Sequence, residues 1–173
     1  MSSITLGIIG GGQLGSMLAV AAKKLNVKTV IFSDDLEAPA QNFSDEFIHG
    51  KYNNDQKINE FVNKAKIITY EFENIPYDTL YKINKLKTVL PKPSINRIIQ
   101  HRLAEKDFIN KLNIRTTQYI SIEQKFQIDA VQNLLPGLLK TTTLGYDGKG
   151  QHSINSIEDI KNLSVDFSKG YIL

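Results

Sequence analysis

Cysteine is absent from this 173-residue sequence, and no long apolar run is present either. Without a thiol there is no disulfide, no thiolate metal site and no cysteine nucleophile, a pattern that fits a reducing compartment. No apolar run approaches the roughly 20 residues that span a bilayer, and no basic segment leads into a hydrophobic stretch at the start. We therefore expect a cytoplasmic globular protein that has no membrane partner.

Arginine is scarce as well, because only three of the 21 basic residues are arginines: Arg97, Arg102 and Arg115. The formal net charge is only +3 and the basic residues are scattered, so the sequence does not indicate a nucleic-acid-binding surface. In a chain that uses lysine for most of its positive charge, a retained arginine marks a candidate position for a planar, bidentate guanidinium.

Strand and helix patterns alternate over the first 90 residues. The predicted strands cover residues 5–9, 28–32, 47–48, 66–70 and 88–90. The predicted helices cover residues 13–25, 55–63 and 77–84. Strands that alternate with helices predict an α/β fold with a doubly wound, parallel, Rossmann-like sheet.

Pro91 and Pro93 interrupt this alternation, and Ser94 is placed to cap a new helix. We therefore predict a first domain over residues 1–94 and a second over residues 95–173. In the second domain the pattern predicts a helical region at 95–112, a strand at 117–122, a helix at 124–134, a strand at 138–141, a short strand after residue 151, a weak helix at 156–162 and the start of a strand at 171–173. This second domain looks incomplete.

The segment "GIIGGGQLGSML" places Gly10, Gly12 and Gly15 at the spacing G-x-G-x-x-G between a strand and a helix. Such a turn lets the backbone approach an anion, and the helix N-terminus supplies N–H donors. With Asp34 or Asp35 as the acidic partner of a ribose, the motif fits an NAD(P)-binding oxidoreductase. It fits equally well a tight turn that allows close helix packing, and the fold hosts many functions.

A second glycine-rich segment, "GYDGKGQ", follows the predicted strand that ends near Lys140. A strand lysine followed by such a loop suits a nucleoside triphosphate, since loop N–H groups and Lys149 can cover the phosphates while Lys140 balances their charge. The pattern G-x-x-x-x-G-K-[ST] does not occur, so this is not a Walker loop. The alternative is an exposed hairpin turn.

Four segments, in order, resemble the N5-carboxyaminoimidazole ribonucleotide synthetase family of ATP-grasp enzymes. They are "GIIGGGQLGSML", "ITYEFENIP", "HRLAEKDF" and "LLKTTTLGYDGKGQ". The resemblance implies a pre-ATP-grasp domain followed by the first part of an ATP-grasp domain. It also implies ATP-dependent carboxylation of 5-aminoimidazole ribonucleotide with bicarbonate, through carboxyphosphate, in purine biosynthesis.

By this resemblance, the ATP-binding residues are Arg102, Lys140, Gly145, Tyr146, Asp147, Gly148, Lys149, Gly150 and Gln151. Tyr146, Asp147 and Lys149 are implied to be catalytic as well, with Asp147 orienting the reacting amine or taking its proton. Cationic groups and N–H donors are what phosphoryl transfer requires.

The resemblance also implies that the first domain binds the ribonucleotide, through Gly12, Gln13, Leu14 and Glu73. Glu71 is a second candidate carboxylate at the same strand end, where open α/β sheets bind ligands. Relatives are dimers, so a homodimer is expected. Mg²⁺ is an expected cofactor whose ligands are expected outside this chain, and the chain is therefore expected not to turn over alone. A non-catalytic remnant or binding module remains an alternative.

Overall fold

A computed structural model describes residues 4–123, 131–145 and 150–173 of the chain. The chain divides into two compact units, Met1–Arg97 and Ile98–Leu173. Among the described residues, no helix combines the length and the apolar character that crossing a membrane requires.

The first unit is a parallel sheet with helices between its strands. Its strands are β1 (Thr5–Ile9), β2 (Lys28–Ser33), β3 (Glu46–His49) and β4 (Ile67–Tyr70), in the spatial order β3-β2-β1-β4. Its helices are α1 (Gln13–Lys24), α2 (Asp55–Lys64) and α3 (Tyr77–Leu86), and α4 (Pro93–Ile99) crosses the division between the units. The predicted α/β fold with a parallel sheet is confirmed.

Local signals explain where these helices begin and end. The Asn54 side chain accepts a hydrogen bond from the Lys57 N–H at 3.1 Å and so caps α2. After α1, Asn26 adopts a left-handed φ of 56°, and the N–H of Val27 returns to the carbonyl of Ala22 at 3.0 Å. An asparagine tolerates this conformation, so it ends the helix as glycine does elsewhere.

Apolar side chains cover both faces of this sheet. One face carries the larger core, in which Phe32 packs against Phe61 with ring centroids 5.5 Å apart, and Ile68 and Leu80 are fully buried. The other face carries a smaller cluster: Ile8, Ala19, Ile31 and Ala40. A sheet buried on both faces is what near-continuous apolar strands predict.

The second unit is built on an antiparallel sheet. Its elements are α5 (Arg102–Lys111), β5 (Ser121–Ile122), β6 (Gly137–Thr141), β7 (Gln151–Ile154), α6 (Ile157–Asn162) and β8 (Tyr171–Ile172). The strand order is β5-β8-β6-β7. Ser156 and Asp159 form a reciprocal capping box at the start of α6, which stabilises a helix of only six residues.

Three sequence predictions differ from the structure in extent. The helical region predicted over 95–112 is two helices, because His101 is extended and its Nδ1 accepts a hydrogen bond from the Ala104 N–H at 3.4 Å. The strand predicted over 88–90 is a single bridge between Val89 and Ile68. The strand predicted over 117–122 is limited to its last two residues, which are the ones that pair with β8.

Two further predictions concern boundaries. The helix α4 begins at Pro93, so Ser94 lies inside its first turn instead of preceding it. Of the helix predicted over residues 124–134, the first seven residues lie outside the described part of the chain, and residues 131–134 form a 3-10 turn.

The central strand β1 has no room for a side chain at Gly7. A Cβ built there would lie 2.8 Å from both the Ala65 Cβ and the Phe61 Cζ. We expect Gly7→Ala to lower the free energy of unfolding of the first unit by about 1–3 kcal/mol through overpacking. Urea denaturation followed by circular dichroism measures this loss. The control Asp78→Glu adds one carbon at an exposed position of α3 and should leave the unfolding midpoint unchanged; an equal loss in both variants would contradict the packing argument.

Candidate functional site

The glycine turn between β1 and α1 is closed tightly by its own backbone and by one side chain. Gly10 has a φ of +103°, which disfavours any residue with a Cβ. A Cβ at Gly10 would lie 2.7 Å from the Glu71 Oε1, and a Cβ at Gly15 would lie 2.7 Å from the Gly10 carbonyl oxygen. The glycines therefore satisfy steric needs of the turn before any ligand is considered.

Glu71, just after β4, lies across this turn. Its Oε1 accepts a hydrogen bond from the Gly12 N–H at 3.0 Å, at the residue that precedes the first turn of α1. Burial raises the pKa of the Glu71 carboxyl, the Gly12 hydrogen bond opposes that rise, and the charge of Glu73 adds to it. The net effect is a raised pKa, so this carboxyl holds its proton to a higher pH than an exposed glutamate does.

This arrangement changes what the turn offers to a ligand. A phosphate that approached the Gly12 N–H would meet the Glu71 oxygen already bound there, whereas a hydroxyl group could donate to a carboxylate. Gln13 and Leu14 are exposed in the first turn of α1, where backbone N–H groups have no partner within the helix. Glu73 is exposed, and its charge reaches Glu71.

Asp34 and Asp35, the acidic residues that the oxidoreductase hypothesis requires, directly follow β2, and both interact with residues of the first unit. The Oδ1 of Asp35 accepts a hydrogen bond from the Glu37 N–H at 2.9 Å and so shapes its own turn. Burial raises the pKa of the Tyr52 hydroxyl, and the negative charge of Asp34 raises it further.

A cavity of about 550 Å³ lies within the second unit, between α5, the segment before β5, and strands β6 and β8. Its charged lining residues are Arg102, Glu105, Lys106 and Lys140. Three cationic side chains against one carboxylate favour a polyanionic ligand.

Arg102 connects α5 to the glycine-rich segment after β6. One terminal nitrogen of its guanidinium donates to the carbonyls of Thr141 and Leu144, both at 2.7 Å, and the other donates to the carbonyl of Gly145. Leu144 and Gly145 both have a positive φ, of 56° and 72°. The retained arginine thus holds a backbone turn that most residues disfavour, which requires the branched donor geometry that lysine lacks.

Lys140 lies in β6 directly opposite Gln151 of β7. Gly150, which precedes β7, has a φ of +68°, and its carbonyl accepts a hydrogen bond from the Thr141 N–H at 3.1 Å. Both ends of the glycine-rich segment are therefore anchored to the same sheet. The predicted residues Tyr146, Asp147, Gly148 and Lys149 lie outside the described residues.

Sequence reasoning did not identify the cavity residues Glu105 and Lys106. The Lys106 Nζ donates to the Thr117 Oγ1 at 2.9 Å and lies 5.2 Å from the centre of the Tyr119 ring. The signal was available within "HRLAEKDF", because residues three and four positions after Arg102 share its helix face. Over the described ranges of the chain, no group of three histidine, aspartate or glutamate residues could hold a metal ion.

The hydrogen bond from the Gly12 N–H to the Glu71 carboxyl predicts that the two groups respond together to pH. We expect the Glu71 carboxyl carbon to titrate above the usual range for glutamate, and the Gly12 amide to follow with the same midpoint in NMR spectra recorded against pH. Since the folded state holds this proton more tightly than the unfolded chain does, the contribution of Glu71 to stability should fall as the pH rises through that interval. Glu71→Gln should abolish the Gly12 titration and Glu37→Gln should leave it intact. A Gly12 amide that titrates in Glu71→Gln would rule the contact out.

Comparison with family models matches residues 3–100 to the ribonucleotide synthetase preATP-grasp domain and residues 107–172 to the ATP-grasp domain. The first match alone covers more than half of the chain.

Comparison with individual proteins agrees with these two family matches. The chain is 36% identical over 159 residues to the N5-carboxyaminoimidazole ribonucleotide synthase of Staphylococcus aureus strain COL, covering 91% of this chain and 42% of that protein. It is 38% identical to the bifunctional purine synthesis protein purC/E of Dictyostelium discoideum, of which it covers 16%. The crystal structure of the Staphylococcus aureus N5-carboxyaminoimidazole synthetase complexed with ADP matches with a TM-score of 0.87 at 32% identity, over 98% of this chain and 46% of that one.

The chain thus spans less than half the length of these relatives. The two domain matches, their order and the shared fold support one conclusion: the chain belongs to the N5-carboxyaminoimidazole ribonucleotide synthetase family of ATP-grasp proteins.

Proposed function

We propose that this chain binds ATP and 5-aminoimidazole ribonucleotide as part of a catalyst that carboxylates the ribonucleotide with bicarbonate. In this reaction bicarbonate takes the terminal phosphoryl group of ATP to give carboxyphosphate and ADP. The exocyclic amine of the ribonucleotide then attacks the carboxyl carbon and releases phosphate. Family membership and the names of the relatives support the reaction, and the cationic cavity of the second unit is the observation that carries it.

The ATP site in this proposal is the cavity of the second unit. Lys140 and Arg102 neutralise phosphate charge, while Gly145, Gly150 and Gln151 flank the segment 146–149 that covers the phosphates. The mixture of cationic side chains and glycine N–H groups supports this assignment, since phosphoryl transfer depends on positioning and charge neutralisation. In it, Arg102 also keeps the turn at Leu144 in place through its three carbonyl contacts.

The ribonucleotide site in this proposal is the glycine turn of the first unit. The N–H groups of Gln13 and Leu14 are available as donors there, and Glu71 and Glu73 are acceptors. Because the Gly12 N–H is bound by Glu71, we place the ribose hydroxyls, which donate to carboxylates, at this turn and the phosphate elsewhere. Residues 1–94 are thus assigned to ribonucleotide binding and residues 95–173 to ATP binding.

Three further elements complete the proposal. Mg²⁺ is the expected companion of ATP, but the described residues do not provide a group of ligands for it, so no step is assigned to the ion. The protein acts on small molecules in the cytoplasm, and it forms a homodimer. Tyr146, Asp147 and Lys149 are retained as the catalytic candidates of the glycine-rich segment.

The ATP site predicts a selective loss of affinity. We expect Lys140→Met to weaken ATP binding at least tenfold, because one cation opposite the phosphates is removed while the aliphatic stem is kept. Isothermal titration with ATP in the presence of MgCl₂ measures this change. Lys161→Met removes the same charge from the exposed face of α6, outside the cavity lining, and should bind ATP as the unaltered chain does. Equal affinities in both variants would refute the assignment of Lys140.

The ribonucleotide site predicts which nucleotide the first unit recognises. The midpoint temperature of thermal unfolding should rise when 5-aminoimidazole ribonucleotide is added and stay unchanged when NAD is added. Glu73→Gln should reduce the shift, because an amide is a weaker acceptor for hydroxyl donors than a carboxylate, and Glu37→Gln should preserve it. A shift with NAD and none with the ribonucleotide would favour the oxidoreductase instead.

A further inference from the structure

Lys106 is a cation of the second unit to which the proposed function assigns no task. It lies on α5, about one helical turn after Arg102, and it lines the cavity together with Arg102 and Lys140. Its side chain is partly buried, whereas Lys111, at the end of the same helix, is exposed and lies outside the cavity lining. A lysine that serves only solubility extends its ammonium group into water. The position of Lys106 in the cavity wall therefore indicates a more specific role.

Two contacts hold the Lys106 ammonium group in this wall. Its Nζ donates to the Thr117 Oγ1 at 2.9 Å and lies 5.2 Å from the centre of the Tyr119 ring. Tyr119 is itself fixed, because its hydroxyl donates to the Asp107 Oδ1 at 2.6 Å and accepts from the Asn110 Nδ2 at 3.0 Å. An ammonium group has three N–H donors, and within the described part of the chain Thr117 is the one side chain that accepts from Lys106. The other two donors can therefore be directed at a ligand.

The charges around Lys106 are unfavourable for the chain without a ligand. Arg102 and Lys106 lie four residues apart on one helix face, where like charges repel each other. Arg102 is also the first residue of α5, where the positive end of the helix disfavours a cation. None of the ion pairs in the described ranges includes Lys106. A polyanion in the cavity would relieve this repulsion, and the relief would add to its affinity.

Arg102 has few N–H donors left for direct contact with phosphate. Its hydrogen bonds to three backbone carbonyls at the turn near Leu144 use three of the five N–H donors of a guanidinium. A donor that is bound to a carbonyl is not available to a phosphate oxygen, although the positive charge still acts at a distance. Direct contacts therefore fall mainly to ammonium groups, and Lys106 and Lys140 are the two lysines in the described lining of the cavity.

We propose that Lys106 is a further phosphate-binding residue, whose ammonium group donates directly to a phosphate oxygen of ATP. Thr117 and Tyr119 are positioning residues in this arrangement, because they act on the nucleotide only through Lys106. The inference rests on the ATP site of the proposed function, to which it adds a second lysine in direct contact with the phosphates.

Isothermal titration with ATP in the presence of MgCl₂ tests the assignment. Lys106→Met should weaken ATP binding at least tenfold, because a direct ionic contact is lost while most of the aliphatic stem is kept. Lys106→Arg keeps the charge and should retain most of the affinity. The control Lys111→Met removes an exposed lysine from the same helix and should bind ATP as the unaltered chain does. Circular dichroism establishes that each variant folds.

Two further measurements separate direct binding from a structural role. Adenosine has no phosphate, so its affinity, measured by NMR titration, should be the same in Lys106→Met as in the unaltered chain. A distorted cavity would instead weaken adenosine and ATP alike. The salt dependence of the ATP dissociation constant should also become less steep in Lys106→Met, since one cation fewer faces the phosphates.

A double-mutant cycle tests the positioning by Thr117. Thr117→Val removes the hydroxyl that accepts from Lys106 and should weaken ATP binding less than Lys106→Met does. In the Lys106→Met background the same substitution should cause no further loss, because the ammonium group that it positions is already absent. Losses that simply add would contradict the coupling between the two residues.

The failure of this proposal is distinguishable from the failure of the ATP site. ATP binding that Lys140→Met weakens and Lys106→Met leaves unchanged overturns the role of Lys106 alone. A loss of adenosine affinity as large as the loss of ATP affinity also overturns it, and makes Lys106 a structural link between α5 and the segment before β5. An unaltered chain that does not bind ATP refutes the ATP site itself, and the role of Lys106 with it.

Discussion

The close contact between α1 and the sheet determines most of what the first unit can do. Gly15 lets the helix begin against the carbonyl of Gly10, because a Cβ at Gly15 would lie 2.7 Å from that oxygen. A helix held this near the sheet can place only small residues inward. Its N-terminus then comes within hydrogen-bonding distance of the strand-end carboxylate of Glu71, and its larger apolar residues are left facing outward.

The two units therefore present chemically opposite sites. The turn of the first unit is acidic, with a raised pKa at Glu71 that reflects a carboxyl half withdrawn from water. The cavity of the second unit is cationic, with Arg102, Lys106 and Lys140 in its lining. The proposed function requires a hydroxyl-rich ribonucleotide and a triphosphate, and each of these two sites disfavours the ligand portion suited to the other.

Sequence patterns predicted the regular elements well where apolar periodicity was strong. The bounds of β1 were predicted without error, and those of α1 to within one residue, because apolar spacing and glycine or asparagine signals mark their ends. Prediction failed where pairing depends on distant residues. The break at His101 requires the Arg102 N–H to reach the Thr142 carbonyl at 2.8 Å, a contact 40 residues away that no local pattern contains.

The candidate site, too, was predicted from the sequence only in part. The sequence singled out Arg102 by its rarity and Lys140 by its position before a glycine-rich segment. It could not show that the Arg102 guanidinium binds three carbonyls, nor that α5 brings Lys106 into the same cavity. It favoured Glu73 over Glu71, although only the structure reveals which carboxyl reaches the Gly12 N–H.

By itself, the sequence determined the family and the alternation of strands and helices. It also determined, through its glycines, where the backbone must approach another group closely, because residue type and spacing carry that information locally. Only the tertiary structure decided which groups lie against those backbone positions. Glu71 occupies the glycine turn, and the apolar side of α1 faces outward, because both outcomes depend on how strands far apart in the chain are brought together.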